Sequence, residues 1–339
     1  MSCGINLLIF VRFCDIMRAI ERTVFLPSFF VLSRLCVGFF YFCEVFMSGR
    51  REGLQRAKNA KNDEFYTRYP DVAAECDHYL NQFFGKVIYC NCDTADSNFV
   101  RYFQNLKVQG LVRDVLWSGG LGGLDFRCPD ALALLETADI VVTNPPFSLF
   151  REYVSLLIAS GKQFLILGNQ NAVSYKDFCP LFISGQVRLG YNSFCPMLFD
   201  VPFVEPNKTY KFVDGRPMAS IGVAWFTNLN VDSKPGIQLH KFYCGNESEY
   251  PKYDNCDAIN VNRISDIPMD YSGVIGVPIT FLAKHDPKQF VLLGLDESLT
   301  SNHDRCTING KRLYARIFIC KNNMFIANND NGFLTNRAA

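Results

Sequence analysis

The sequence predicts an α/β protein built on a doubly wound, mostly parallel sheet, with a mixed, β-rich region at its C-terminal end. Three observations carry this. Short β-branched apolar runs alternate with helical stretches through the first half of the chain. One such run stops at two consecutive prolines, and beyond about residue 186 the texture changes to short strand-like pieces rich in turn residues. Strands alternating with helices imply parallel pairing through crossover helices.

At 339 residues the chain is long enough for one large core or two modest ones. Residues 1–46 are set apart by their Phe, Leu, Val, Ile and Cys content. Their apolar runs at 23–32 and 35–42 are each shorter than the roughly 18–20 residues needed to cross a bilayer. A membrane anchor is therefore weakly supported, and a signal peptide is less so, because no small-residue cleavage site follows. Met47 opens a polar, basic segment that reads like a natural start, and the favoured expectation is that 1–46 are an apolar extension upstream of the working protein. Residues 47–61 form a basic segment with five basic side chains, Arg50, Arg51, Arg56, Lys58 and Lys61, and one acid, Glu52. It reads equally as a solvated linker and as a phosphate contact.

The region 62–186 carries the alternating elements. Tyr69-Pro70-Asp71 opens a helix with Val72, Cys76, Tyr79, Leu80 and Phe83 on one face, Pro70 suited to its first turn and Gly85 ending it. Residues 86–90 form a strand, and a helix follows that carries Phe99, Tyr102 and Phe103. The glycine-rich run 118–123 does not directly follow a clear strand and reads as a surface turn. A short helix from Pro129 to Thr137 precedes the strand 139–143. A helix over 148–160, with Ser148 as its cap, and a strand over 163–167 complete the series. The region 187–325 holds β-like runs at 187–191, 218–227, 273–281, 289–295 and 312–320, and 326–339 form a tail. The run at 312–320 alternates, with Leu313, Ala315, Ile317 and Ile319 facing one way. These pieces complete the sheet and build a substrate-reading lobe.

Charge announces no partner, since 34 basic residues stand against 33 acidic ones. Fourteen cysteines lie scattered in apolar contexts without a Cys-x-x-Cys pair, so no metal site is expected and reduced thiols in a cytoplasmic protein are the better account.

The chemistry concentrates where the strand 139–143 ends in Asn144-Pro145-Pro146-Phe147. Neither proline can donate to a ladder, and each restricts the residue before it, so the chain leaves the strand in a rigid, extended turn. An Asn side chain and the next carbonyl can accept hydrogen bonds from an amino group, while a Phe ring offers a stacking face to a planar base. That combination suits methylation of a nitrogen. Asn or Asp followed by Pro-Pro-Phe or Pro-Pro-Tyr occurs in enzymes that methylate adenine, protein glutamine and some RNA bases. The donor for such a transfer is S-adenosylmethionine, whose sulfonium and ribose call for carboxylates at strand ends. Asp93, just after the strand 86–90, and Asp125, before the strand 139–143, are the candidates.

From Asn62 onward the chain resembles the EcoRI-type adenine-specific DNA methyltransferases. The likeness is carried by NDEFYT at 62–67, GKVIYCNCD at 85–93, DFR at 125–127, ADIVVTNPPFSLFREY at 138–153 and GNQNA at 168–172. It continues through WFTNL at 225–229, YPKYDN at 250–255, GVPITFL at 276–282 and NGKRLYARI at 309–317. The resemblance implies a sheet of the S-adenosylmethionine-dependent methyltransferase type. It also implies methylation of adenine N6 in a specific double-stranded DNA sequence, with the base flipped out of the helix, in restriction-modification or DNA protection beside a cognate restriction endonuclease. Asn144, Pro145, Pro146 and Phe147 correspond to the catalytic tetrad. Asn62, Phe65 and Tyr66 are expected to close over the cofactor, with Asp93, Asp125 and Asn144 completing its site. The competing readings are a DNA-binding relative that has lost turnover and an amino-methyltransferase acting on RNA or protein.

Overall fold

The computed structural model describes residues 66–119, 125–200, 210–232, 235–296, 299 and 305–322. The stretch 1–46, the basic segment 47–61, Asn62, Phe65, the run 120–124 and the tail lie outside the described residues.

Among the described residues the architecture is mixed α/β with three sheets. The chain enters the largest through β1 (Tyr66–Thr67). Four strands then run parallel: β2 (Val87–Cys90), β3 (Asp114–Trp117), β4 (Ile140–Thr143) and β5 (Gln163–Asn169). The strands β6 (Arg188–Leu189), β7 (Cys195–Asp200), β8 (Lys211–Val213) and β9 (Arg216–Thr227) add antiparallel pairings, with β9 as the common partner. The spatial order is β1-β7-β9-β5-β4-β2-β3, with β6 and β8 pairing to β9. β4 is buried along its whole length, as its unbroken apolar run requires of a central parallel strand.

Side chains of the central strands alternate between two cores. Tyr89, Val141, Phe164, Ile166 and Phe226 enter one, against Leu135 of the helix Pro129–Thr137 and Phe150, Tyr153 and Leu157 of the helix Phe150–Ala159. Ile88, Ile140, Val142, Leu165 and Trp225 enter the other, against Val72 and Cys76 of the helix Tyr69–Cys76 and Phe99 and Phe103 of the helix Asn98–Val108.

Several local expectations need correction. The first helix is interrupted by a 3-10 turn, Asp77–Tyr79, before Leu80–Phe83. Gly85 then takes φ +69°, the left-handed conformation that suits glycine after a helix. The strand β3 is not anticipated by the sequence pattern. Only Val115 is fully buried in it, so it carries little apolar signal. The glycine-rich run therefore does directly follow a strand. Ser148 does not cap a helix, because Phe147–Leu149 form a 3-10 turn and the α-helix begins at Phe150 without a side-chain cap.

Four of the C-terminal strands form a second sheet in the order β10-β11-β15-β12. They are β10 (Ala258–Asn260), β11 (Val274–Pro278), β12 (Phe290–Leu295) and β15 (Arg316–Lys321). A short hairpin, β13 (Thr307–Ile308) and β14 (Lys311–Arg312), precedes β15. The expected one-sided alternation in the last strand fails, because Ile317, Phe318 and Ile319 are all buried: β15 lies between β11 and β12 and is covered on both faces. No helix among the described residues is long and apolar enough to cross a membrane.

Candidate active site

In the largest sheet β3 lies beyond β2, and β5 lies beyond β4 on the opposite side, so the strand order reverses between β2 and β4. Open α/β sheets bind ligands outside the carboxyl ends of strands at such a reversal. The residues that follow β2 and β4 are the turn 91–97 and the tetrad Asn144 to Phe147.

Thr143, fully buried at the end of β4, joins the two segments. Its Oγ1 donates to the Asp93 carboxylate at 2.5 Å and accepts from the Cys92 N–H at 3.1 Å. Asp93 also accepts from the Asn144 backbone N–H and the Ser97 side chain. Ser97 in turn caps the helix Asn98–Val108, accepting from the Val100 N–H at 3.2 Å. Burial pushes the Asp93 carboxyl up to about 6, against these hydrogen bonds, which pull it down.

On the other side of the tetrad, Asn144 Nδ2 donates to Thr67 Oγ1 at 3.3 Å. Thr67 is buried in β1, and its carbonyl accepts from Asn98 Nδ2 at 2.9 Å. β1 itself is held by antiparallel pairing to β7, with Tyr66 opposite Asp200 and Thr67 opposite Phe199. Pro145 is buried, and Phe147 is half-buried against the core that holds Val142 and Leu167.

The end of β3 closes the floor. The Gly119 N–H donates to the Asp93 carbonyl at 2.9 Å, and a Cβ at Gly119 would lie 2.6 Å from that oxygen, so the approach needs glycine. Tyr89 OH donates to Ser118 Oγ at 2.8 Å, and Ser118 Oγ donates to the Asn91 carbonyl at 2.5 Å. Asn91 is fully buried, and its Nδ2 has no hydrogen-bond partner among the described residues.

Asp93, Asn144, Pro145, Pro146 and Phe147 thus meet at the switch point, and the backbone of Tyr66 continues into Thr67 beside them. Asp125 is engaged differently. Arg127 bonds both of its oxygens and also reaches both oxygens of Glu152 at 3.1 Å. Burial raises the Asp125 carboxyl, but the Arg127 contacts outweigh it and hold it below the usual range. Thr67 ends the segment 62–67 expected near the cofactor, but sequence reasoning gives no role to it, nor to Ser97, Asn91 or Thr143. Thr143 reads only as a strand residue, although its place immediately before the tetrad is a usable signal. A cleft lined by Ile237, Leu239, Met269 and Lys321 contains none of the switch-point residues.

In the C-terminal region, Lys311 and Arg312 are exposed on the β13–β14 hairpin. Asp254 fixes that hairpin by accepting from Thr307 Oγ1, the Asn309 N–H and the Gly310 N–H. Arg316 is turned inward to Asn260 and Asn262. No group of three or more His, Cys, Asp or Glu side chains arranged to hold a metal ion occurs among the described residues.

The family model described as "Adenine-specific methyltransferase EcoRI" matches residues 53–115 and 112–331. The chain is similar to the Type II methyltransferase M.EcoRI of Escherichia coli, with 40% identity over 316 residues that cover 78% of this chain and 95% of the relative. It is 39% identical over 308 residues to the Type II methyltransferase M.MpnI of Mycoplasma pneumoniae, covering 78% and 96%. Against the Type II methyltransferase M.MgeORF184P of Mycoplasma genitalium the identity is 37% over 309 residues, covering 78% and 98%.

Proposed function

This chain belongs to the EcoRI family of adenine-specific methyltransferases, and from that premise we propose that it methylates the N6 amino group of adenine in a specific double-stranded DNA sequence. The observation that carries the proposal is the position of Asn144-Pro145-Pro146-Phe147 at the carboxyl end of β4, beside the reversal of strand order.

An aromatic amine is a poor nucleophile because its lone pair is delocalised into the ring. Asn144 Oδ1 and the Pro145 carbonyl accept its two hydrogens, which favours a more tetrahedral nitrogen in the transition state. Phe147 stacks on the base and fixes its plane. Catalysis is then a matter of position and electrostatics rather than of proton abstraction. A base paired within a duplex cannot enter such a site, so the target adenine is flipped out.

S-adenosylmethionine, when bound, supplies an activated methyl group on a positive sulfonium. The residues at the switch point fit such a cofactor. The buried Asn91 Nδ2 is a donor awaiting an acceptor on the floor beside β2. We assign Asn62, Phe65, Tyr66, Asp125 and the Asn144 main chain to its site, with Asp93 lining that site as the support of Asn144. Helices packed against both faces support reading the largest sheet as doubly wound, of the S-adenosylmethionine-dependent methyltransferase type. We assign region 62–186 to catalysis and 187–325 to the remaining strands and DNA recognition, with the exposed Lys311 and Arg312 as backbone contacts. A cytoplasmic enzyme of restriction-modification or DNA protection, paired with a restriction endonuclease of the same specificity, completes the proposal.

The test is isothermal titration of the purified chain with S-adenosylmethionine, followed by assay of methyl transfer to duplex DNA. Binding with transfer to adenine is expected. Binding to DNA without cofactor binding or transfer would favour the inactive relative instead.

A further inference from the structure

We propose that Asp93 is a positioning residue for the transfer, holding the main chain at Asn144 so that its side-chain amide and the Pro145 carbonyl stay aimed at one substrate nitrogen. The proposal rests on the reading of Asn144 as the residue that accepts from the target amine. Its ground is geometric. The tetrad leaves β4 through a turn whose prolines have no N–H, so the Asn144 N–H is the last main-chain donor before Phe147. That N–H goes to the Asp93 carboxylate. The adjoining Thr143 hydroxyl goes to the same carboxylate at 2.5 Å. The third donor, Ser97, belongs to the cap of the helix Asn98–Val108, so the carboxylate ties the tetrad to the turn after β2 and to a helix end at once. Asn98 of that helix holds the Thr67 carbonyl, and Thr67 Oγ1 receives the Asn144 side chain. Asn144 is therefore fixed from its backbone by Asp93 and from its side chain by Thr67, and both supports converge on residues 97 and 98. Buried at 9% exposure, Asp93 has its acceptors turned to the protein. Its role is to hold Asn144 and not to contact the methyl donor.

Other titratable groups face this carboxylate from β2, from the turn that follows it and from the helix Phe150–Ala159. They are Cys90, Cys92 and Tyr153, each pushed up by burial and so neutral through the ordinary working range. Asp93 alone among them changes charge as the solution becomes mildly acidic.

The test compares the full chain with Asp93→Asn, Asn144→Ala and the double variant, measuring kcat, KM for duplex DNA and affinity for S-adenosylmethionine. Asn is near the size of Asp but offers one acceptor oxygen and no charge. The expected result is a fall in kcat on the order of 10- to 100-fold, the scale of a small misplacement of reacting groups. S-adenosylmethionine affinity should stay within about threefold, because the carboxylate is occupied by donors of the protein, Thr143, Ser97 and the Asn144 N–H. Added to Asn144→Ala, the Asp93 change should cost less than it does alone, since of the two acceptors it aims only the Pro145 carbonyl is left. The unchanged chain should lose rate as pH falls through about 6, and Asp93→Asn should be flat over that limb. Normal turnover by Asp93→Asn overturns the proposal. So does a loss expressed chiefly in cofactor affinity, or a loss that adds in full to that of Asn144→Ala. If Asp93→Asn fails to fold, Thr143→Val, which removes one donor to the same carboxylate, is judged by the same readouts. Absence of transfer by the unchanged chain is seen before any variant is made; it overturns the reading of Asn144, and the positioning role with it.

Discussion

At the scale of the residue, the site is a small set of hydrogen bonds around a strand end, and each has a measurable consequence. Asn144→Ala removes the acceptor proposed for the substrate amine while leaving the Asn144 N–H bond to Asp93 in place. Its kcat is expected to fall about 10²- to 10³-fold with cofactor binding nearly unchanged, as for loss of one preorganised polar group in a transition state. Near-normal turnover would remove the Asn side chain from the mechanism. Asp93 also has a stability signature. Burial raises its folded-state value to about 6 from 3.8, so the native state favours the protonated form. Its contribution to stability is then greatest below the unfolded value and is lost as pH rises through the folded one. The swing is on the order of 3 kcal/mol. Denaturant unfolding at pH 4 and pH 7.5 should show this decline in the unchanged chain and a flatter response in Asp93→Asn; equal slopes would contradict it. The tetrad is legible in the sequence because two prolines and an aromatic ring after a β-branched run have few structural uses. The role of Thr67 is not legible, because its partner Asn144 lies 77 residues away in sequence and only the fold brings them near.

At the scale of the element, pattern reading succeeds where the local sequence carries its own signal and fails where an element's identity comes from neighbours. The helix Pro129–Thr137 and the strand β4 lie where proline and a continuous apolar run place them. β3 escapes it because Asp114 and Trp117 face outward, so its identity comes from pairing with β2 rather than from its own composition. β15 reads as one-sided because its neighbours β11 and β12 are remote in sequence. Packing between elements is tight where β5 meets the helix that follows β4. A Cβ at Gly168 would lie 2.4 Å from the Phe150 ring, which is itself locked against Phe178 and Phe226. Gly168→Ala should therefore destabilise the protein by about 1–3 kcal/mol, the usual cost of overpacking a closed core. Unfolding in denaturant measures this directly, and an unchanged midpoint would mean that Phe150 has room to move.

At the scale of the whole molecule, the largest sheet places the tetrad, while the C-terminal strands divide between completing that sheet and forming a second one. The composition change after about residue 186 marks this region, but assigning strands between the sheets requires their pairing partners. With a net charge of +1, grip on DNA has to come from local clusters. Lys311→Glu with Arg312→Glu on the exposed hairpin should weaken binding to all duplexes alike and reduce the salt slope by about 1 for each phosphate no longer neutralised. Binding at two salt concentrations checks this, and unchanged affinity and slope would place the DNA grip elsewhere. The central claim, that this chain marks adenine through Asn144, is tested most directly by sequencing DNA from cells that express it, with detection of methylated bases. N6-methyladenine at one short recurring sequence is expected, and its loss when Asn144→Ala is expressed instead. DNA free of N6-methyladenine, or the same marks left by the Asn144→Ala chain, would contradict the claim.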